Sequence, residues 1–404
     1  MIKATGITAE YNPLHNGHVY QIEKAREITD CDVIAVAMSG DFVQRGEPAI
    51  LDKWTRCGLA LDAGADIVVE IPALFCLGNS AQYASASVRV LEALGCDNIA
   101  FGSESGDIDI LRRTAERLLS NRDEIDKRIK ECISKGLSWP AAREQAYRSL
   151  RTAADSGSLE KEISVLSDPN DILALEYLMN MRKAQPVCIK RKGAGYHEGL
   201  KASAGFQSAG AIRDALRNGM DTDELADGIP GSTLKALKES RLVFSDEMSE
   251  LLRYAAMSTP AEMIERCPSA GEGLGNRLKN AALDHNTWEG IVKAAKSKRY
   301  TYTRISRLCA QLILGIDRDH HGYSAPEYIR VLGFNEKGRE MLSRSKSGGN
   351  CDLPILTNIN KEAQGLTDEA RSMLELDVHA ADIYNLVSGR DNSYSDHIMT
   401  PVIK

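Results

Sequence analysis

Two histidines flank an Asn-Gly pair in the tetrad His15-Asn16-Gly17-His18. An imidazole can donate a hydrogen bond to a phosphate oxygen or carry positive charge towards it. Gly17 removes a Cβ where the backbone must come close to a ligand. Chance gives the pattern H-x-G-H about 0.01 times in a chain with 8 His and 32 Gly among 404 residues. The tetrad follows an apolar run, Ile2 to Ala9, and precedes a helical pattern, Val19 to Ile28. That is a strand, a tight loop and a helix. A helix N-terminus offers unpaired N–H groups and the positive end of a macrodipole, so phosphates settle there. The spacing therefore predicts His15 and His18 as a phosphate grip. The bland alternative is that both rings only cap the helix.

The elements that must position the tetrad alternate along the first third of the chain. Ile2–Ala9, Val33–Met38, Asp66–Ile71 and Asn98–Phe101 read as buried strands. Helical patterns lie between them at Val19–Ile28, Asp52–Ala63 and Ser80–Leu94. Buried strands separated by single helices imply a parallel sheet covered on both faces. Ligands on such sheets bind beyond the carboxyl ends of the strands. Ile108–Arg151 reads as charged helix and 156–167 as a polar connection. Asp168-Pro169-Asn170 starts a helix through about Met181, with Asp near the cap and Pro in the first turn. Pro186–Lys190 is a fifth strand, followed by Arg191 and the glycine-rich turn Gly193-Ala194-Gly195. Ser208-Ala209-Gly210-Ala211-Ile212-Arg213 opens another helix. After about residue 225 strand signals fade and the remainder reads as helices.

Composition sets outer bounds. With 43% hydrophobic and 26% charged residues, the chain is of the soluble globular class. No run of about 18 apolar residues offers a membrane span, and Met1-Ile2-Lys3-Ala4 lacks a signal-peptide layout. Nine scattered cysteines without a C-x-x-C pair point to reduced thiols in a cytoplasm, and no Cys/His cluster has zinc spacing. The net charge of −7 excludes uniform coating of a nucleic acid. Against it, Gly271 to Gln311 carries eight Lys/Arg and three acids. In that stretch Lys296, Lys298, Arg299, Arg304 and Arg307 could clamp phosphates, and Tyr300 and Tyr302 could stack on unpaired bases.

Further residues sit at strand ends. Arg45 could hold a phosphate or a carboxylate in two-pronged fashion, or pair with Glu47 on the surface. Arg191, between a strand and a glycine-rich turn, suits a phosphate. Asn170 is by default a capping-region residue, and His197 a structural loop histidine. Asp41, Glu104 and Asp107 could stand beside phosphates with a magnesium ion, but no spacing rule joins them, so no metal ligand is assigned. No cysteine has an activating neighbour.

A strand followed by H-x-G-H, with a later Ser-led helix ending in Ile-Arg, resembles the HIGH-motif nucleotidyltransferases. Longer stretches narrow the resemblance: Ala9-Glu10-Tyr11-Asn12-Pro13-Leu14-His15-Asn16-Gly17-His18, Met38 to Ala49 (MSGDFVQRGEPA), Phe101-Gly102-Ser103-Glu104, Pro169 to Leu173 (PNDIL), Lys190 to His197 (KRKGAGYH) and Lys298-Arg299-Tyr300-Thr301. Together these resemble the tRNA(Met) cytidine acetate ligase family over most of the chain. The resemblance implies ATP as substrate, acetate activated as acetyl-adenylate with loss of pyrophosphate, and acetyl transfer to the exocyclic amine of the wobble cytidine of elongator tRNA(Met). It implies catalytic roles for His15 and His18. It also implies ATP contacts from Thr8, Ala9, Glu10, Tyr11, Asn12, Pro13, Leu14, His15, Asn16, Gly17, His18, Val19, Tyr20 and Gln21, with Gly102, Asn170 and Arg191 closing over the nucleotide. It favours tRNA as the partner of the basic stretch. The chain departs from the superfamily where Ser208-Ala209-Gly210-Ala211 replaces a Ser-Ser-Thr loop, which leaves phosphate contact there to backbone N–H groups. A Lys-Met-Ser-Lys-Ser segment is absent.

The expected fold is thus α/β: a Rossmann-like parallel-sheet nucleotidyltransferase domain over residues 1–225 with a helical insertion near 108–165, then a mainly α-helical region over 226–404 that is the candidate tRNA-binding domain. Alternatives are a small-cofactor adenylyltransferase, which would not need the basic helical half, and a non-enzymatic RNA-binding protein that holds ATP as a ligand. The expectation is a cytoplasmic enzyme, with magnesium possible but unassigned.

Overall fold

The computed structural model describes residues 2–137, 139–150, 159–191, 207–318, 323–347, 351–391 and 395–404. The sequence features at 192–197, including the Gly193–Gly195 turn and His197, lie outside the described residues, as does most of the 156–167 connection's start. Among the described residues there are ten strands: β1 (Ala4–Ala9), β2 (Val33–Ser39), β3 (Phe42–Val43), β4 (Glu47–Pro48), β5 (Ile67–Ile71), β6 (Asn98–Ser103), β7 (Gln185–Lys190), β8 (Ile329–Phe334), β9 (Ile355–Leu356) and β10 (Val402–Ile403). The main sheet runs β10-β8-β5-β2-β1-β6-β7, with β9 also on β8, while β3 and β4 form a separate hairpin.

The five strands read from the sequence form one contiguous, mutually parallel block of this sheet, β5-β2-β1-β6-β7, with β7 at the edge. β2 and β5 are buried along their whole length, as a sheet covered on both faces requires. One face carries helices Asn16–Thr29, Lys53–Asp62 and Ala209–Arg217, through Leu14, Ile22, Val36, Trp54 and Ile212. The other carries helices Ser80–Leu94, Ile108–Ser120 and Pro169–Asn180, in a core that continues through the C-terminal helices to Tyr384. Strand order reverses between β1 and β6, so the crevice beyond their carboxyl ends is the expected ligand position. His15 lies at the mouth of that crevice.

The region after residue 225 is mainly helical, but the fading of strand signals there was misleading. β8 pairs antiparallel with β5 and extends the sheet. Its sequence, Ile-Arg-Val-Leu-Gly-Phe, hides an apolar strand behind Arg330, which is 2% exposed. Arg330 is tolerated there because it meets buried anions. Its guanidinium bonds Asp396 at 2.6 Å and lies 3.5 Å from Glu70. The Lys53 ammonium, also buried, contacts Glu70 at 2.9 Å and Asp396 at 2.7 Å. Burial pushes the Asp396 carboxyl up, but Lys53 and Arg330 outweigh it and hold it below the usual range. This four-charge cluster ties residues near both ends of the chain to the carboxyl side of the sheet.

All nine cysteines are free thiols. Burial pushes Cys57, Cys76, Cys96 and Cys309 up, which removes them as nucleophiles. No helix of the described residues is long and apolar enough to cross a membrane.

Candidate active site

The loop from β1 to the helix Asn16–Thr29 is held from several sides. Arg56, wholly buried, donates to the carbonyls of Glu10 at 2.7 Å, Ser39 at 3.0 Å and Leu51 at 2.9 Å. It thereby pins the carboxyl ends of β1 and β2 together. Asn12 Oδ1 accepts from the Ile50 N–H at 2.8 Å, and its carbonyl accepts from Arg213 at 2.6 Å. Tyr11 is held at φ 47°, a region that non-glycine residues seldom occupy unless their surroundings enforce it. Its ring stands edge-on to His18, with centroids 4.9 Å apart.

The histidines do two jobs at once. His15 Nδ1 accepts from the Gly17 N–H at 3.0 Å, and His18 Nδ1 accepts from the His15 N–H at 3.3 Å, forming a reciprocal cap on the helix. The rings stack with centroids 3.8 Å apart. Because both Nδ1 atoms accept, each neutral ring carries its proton on Nε2. Burial, then the Arg191 charge, pushes His15 down to about 3. Burial, the neighbouring His15 and Arg191 hold His18 well below its usual value. Both are therefore neutral donors near pH 7. Capping and ligand binding are not alternatives here, since the capping reading uses only one nitrogen of each ring.

In front of the rings lies a cavity of about 1250 Å³ including its open mouth. It continues past Gly17 into a smaller chamber of about 510 Å³, bounded by Tyr20, Lys190 and Gln207. The helices beginning at Asn16, Pro169 and Ala209 all turn their N-termini towards this space, so three macrodipoles favour anions in it. The helix Ala209–Arg217 is capped by Ser208, whose Oγ accepts from the Ala211 N–H at 3.2 Å. This loop lacks two hydroxyls, yet it still lines the cavity through Ser208, Ala209 and Gly210.

Of the residues expected to contact ATP, Thr8, Ala9, Glu10, Tyr11, Asn12, His15, Gly17, His18, Tyr20, Gln21, Gly102, Asn170 and Arg191 border one or both chambers. Asn16 and Val19 instead face a groove on the far side of their helix, where the Asn16 amide donates to the Asp227 carbonyl at 2.9 Å. Leu14 is buried in the core, and Pro13 is joined to Asn12 by a cis peptide bond. A Cβ at Gly102 would come within 3.3 Å of the Arg191 side chain and push it aside by a few tenths of an ångström. Arg191 in turn donates to Asn170 Oδ1 at 3.3 Å. Glu104 accepts from the Asn170 amide and from the Asp171 N–H, so the Phe101–Glu104 and Pro169–Asp171 segments lock together.

No sequence pattern marked Arg56, nor Tyr83 and Tyr177, which line the cavity together with Phe101. Arg45, proposed from its place beyond β2, also lines the cavity, and the carboxylate that acts on it most strongly is Glu10, with Glu47 a smaller influence. The three acids considered for magnesium serve separate structural tasks. Asp41 accepts from the Lys53 N–H at 2.8 Å, Glu104 holds Asn170, and Asp107 caps the helix Ile108–Ser120.

The basic stretch divides. Lys296, Lys298 and Arg299 are exposed. Arg304 donates to the carbonyls of Ser269 at 2.8 Å and Ala270 at 3.0 Å, and Arg307 to that of Gln44 at 3.4 Å, so both tie segments together. Tyr300, expected as a stacking platform, is 6% exposed. Arg304 lies over its ring at 5.0 Å, because the ring fills the space beside Gly271. Only Tyr302 of the pair keeps part of its surface.

The HIGH Nucleotidyl Transferase family model matches residues 2–397. The chain is 36% identical to the tRNA(Met) cytidine acetate ligase of Clostridium perfringens strain SM101, over 99% of each chain. It is 37% identical to that of Clostridium novyi, over 98% of each. The crystal structure of Thermotoga maritima TmcAL bound with alpha-thio ATP superposes with a TM-score of 0.89 at 32% identity, covering 100% of this chain and 99% of that one. Its apo form gives 0.90. With a HIGH tetrad set at the sheet's switch point and kinship extending from end to end, the chain belongs to the tRNA(Met) cytidine acetate ligase family.

Proposed function

We propose that this chain is an ATP-dependent ligase that activates acetate as acetyl-adenylate and acetylates the N4 amine of the wobble cytidine of elongator tRNA(Met), releasing AMP and pyrophosphate. The observation that carries the reading is the pair of neutral imidazoles whose Nε2–H groups are left for a ligand where three helix N-termini converge. As acetate attacks the α-phosphorus, charge accumulates on the phosphate oxygens and the departing pyrophosphate. Fixed donors aimed at those oxygens stabilise that charge more than the ground state. Arg191 adds the formal charge that the neutral histidines lack.

Beyond β2, Arg45 lines the cavity, and we assign it to the acetate carboxylate. Burial lowers its pKa, yet a guanidinium stays charged, so it offers a two-pronged carboxylate donor in a partly desolvated site. Magnesium would arrive with the triphosphate, because no group of three His, Cys, Asp or Glu among the described residues is arranged to hold a metal. For the second substrate, Lys296, Lys298 and Arg299 supply the phosphate contacts, with Arg304 and Arg307 shaping the surface beneath them. Acetate itself has no adequate leaving group, so it must be activated, and an adenylate supplies the leaving group from ATP.

The test is ATP–pyrophosphate exchange with and without acetate, in the absence of tRNA. Acetate-dependent exchange is expected. Exchange that ignores acetate and needs another acceptor would replace this reading with that of a small-cofactor adenylyltransferase, and no exchange with any acceptor would leave only ATP binding.

A further inference from the structure

Among the described residues lining the larger chamber there is one acidic side chain, Glu10. It belongs to a loop whose other polar groups suit a polyphosphate, and a carboxylate repels phosphate oxygens. Three guanidiniums, Arg45, Arg191 and Arg213, surround the same space. The position of Glu10 explains its presence. One carboxylate oxygen accepts from the Gln44 N–H at 3.0 Å, and the Glu10 carbonyl accepts from Arg56 at 2.7 Å. Both anchors come from the side of β2 and the β3–β4 hairpin. Gly102, Asn170 and Arg191 form the opposite flank, at the ends of β6 and β7.

The flank that holds Glu10 is also joined to the basic region. Ser306 Oγ donates to the Gly46 carbonyl at 2.9 Å, and Arg307 donates to the Gln44 carbonyl at 3.4 Å. Gly46 has φ 80° and lies so near the Arg307 backbone that a Cβ would overlap it. The helix Tyr302–Ile313 that makes these contacts begins three residues after the exposed Arg299. The exposed basic residues therefore belong to a segment that is bonded directly to the flank holding Glu10.

We propose that Glu10 is the catalytic base of acetyl transfer, its carboxylate receiving the N4 amine of the target cytidine. The inference rests on the acetyl-adenylate reading above. A carboxylate accepting from the cytosine N4 amine is a known base-edge pairing. In the step, the amine nitrogen bonds to the carbonyl carbon of acetyl-adenylate. The bond from that carbon to the phosphate oxygen breaks, and AMP leaves with the electron pair. The N4 proton passes to Glu10 and from there to solvent. Glutamine could still accept the hydrogen bond through its amide oxygen, but it could not take the proton.

The two steps can be measured apart on the full chain. Glu10→Gln and Glu10→Asp are compared with the parent in acetate-dependent ATP–pyrophosphate exchange without tRNA, and in single-turnover transfer of labelled acetyl from enzyme-formed adenylate to tRNA(Met). The expected result is a loss of transfer of roughly 10²-fold or more in Glu10→Gln, the usual span of a general base. Exchange also draws on the loop that carries Glu10, so it is the ratio of transfer to exchange that should fall by at least about tenfold, and Glu10→Asp should recover part of the transfer. Equal losses in both steps would overturn the proposal in favour of a role in holding the nucleotide or its magnesium, and full transfer in Glu10→Gln would overturn it outright. Thermal melts accompany both variants, and should Glu10→Gln not fold, the same ratio in Glu10→Asp decides. Failure of acetate-dependent exchange in the parent would instead strike the acetyl-adenylate reading, and this assignment with it.

Discussion

Each imidazole of the HIGH tetrad is committed at Nδ1 and leaves Nε2 for a ligand, a division of labour with a consequence for pH. Because the folded enzyme lowers both histidines, His15 to about 3, neither gains a proton as pH falls through 6.5. The free-enzyme parameter kcat/KM for adenylation should therefore show no inflection near 6.5 from these rings, and should decline on their account only in acid well below that. A profile with such an inflection, abolished in His18→Gln, would mean that an imidazolium does the work. His18→Ala should cut adenylation by roughly 10²-fold or more, the scale for losing one preorganised oxyanion donor, with tRNA affinity nearly intact in filter binding. At this scale the sequence was most informative. H-x-G-H needs only neighbours within four residues to become a cap and a grip, so its geometry is local. Asn16 was the exception: its amide reaches Asp227, a partner that local reading could not supply.

Elements decide how the grip is aimed. The five parallel strands and their helices were legible because buried parallel strands announce themselves as apolar runs between helical periods. β8 was not, since its buried Arg330 looks like a surface residue until Glu70 and Asp396 are found around it. The Lys53 partner in that cluster offers a test of its importance. Burial and Arg330 disfavour the charged ammonium, but Asp396, Glu70 and Asp41 reverse this and raise Lys53 to about 12, so it is charged throughout the working range. Lys53→Met leaves two buried carboxylates facing one guanidinium. It should destabilise the fold by about 3 kcal/mol, the lower end for breaking a buried pair, as read from the urea midpoint. A loss below about 1 kcal/mol would mean that the cluster relaxes or admits water without penalty.

For the whole molecule, the β3–β4 hairpin is one of the places where the N-terminal sheet touches the C-terminal helices, and there the cavity borders the segment that leads to the basic surface. Adenylation and RNA binding should then be separable by mutation. Replacing Lys298 and Arg299 together by Ala should weaken tRNA binding and lower its salt dependence by up to about two phosphate contacts, while acetate-dependent exchange stays near the parent rate. If this double variant and His18→Ala lose the same function, the division between the two surfaces is wrong.

The sequence by itself determined the strand–loop–helix at the amino terminus, the parallel block of the sheet and the family resemblance, all of which depend on short-range pattern or on residue identity. Only the tertiary structure decided that Arg304 and Arg307 bind carbonyls rather than standing free, that Tyr300 is packed away, that Arg56 pins two strand ends, and that Glu10 lines the cavity with its carboxylate against the Gln44 N–H. The reason is physical: a side chain's chemistry depends on its burial and its partners, and Gln44 for Glu10, Glu10 for Arg56, Ser269 for Arg304 and Asp396 for Arg330 lie 34, 46, 35 and 66 residues away along the chain.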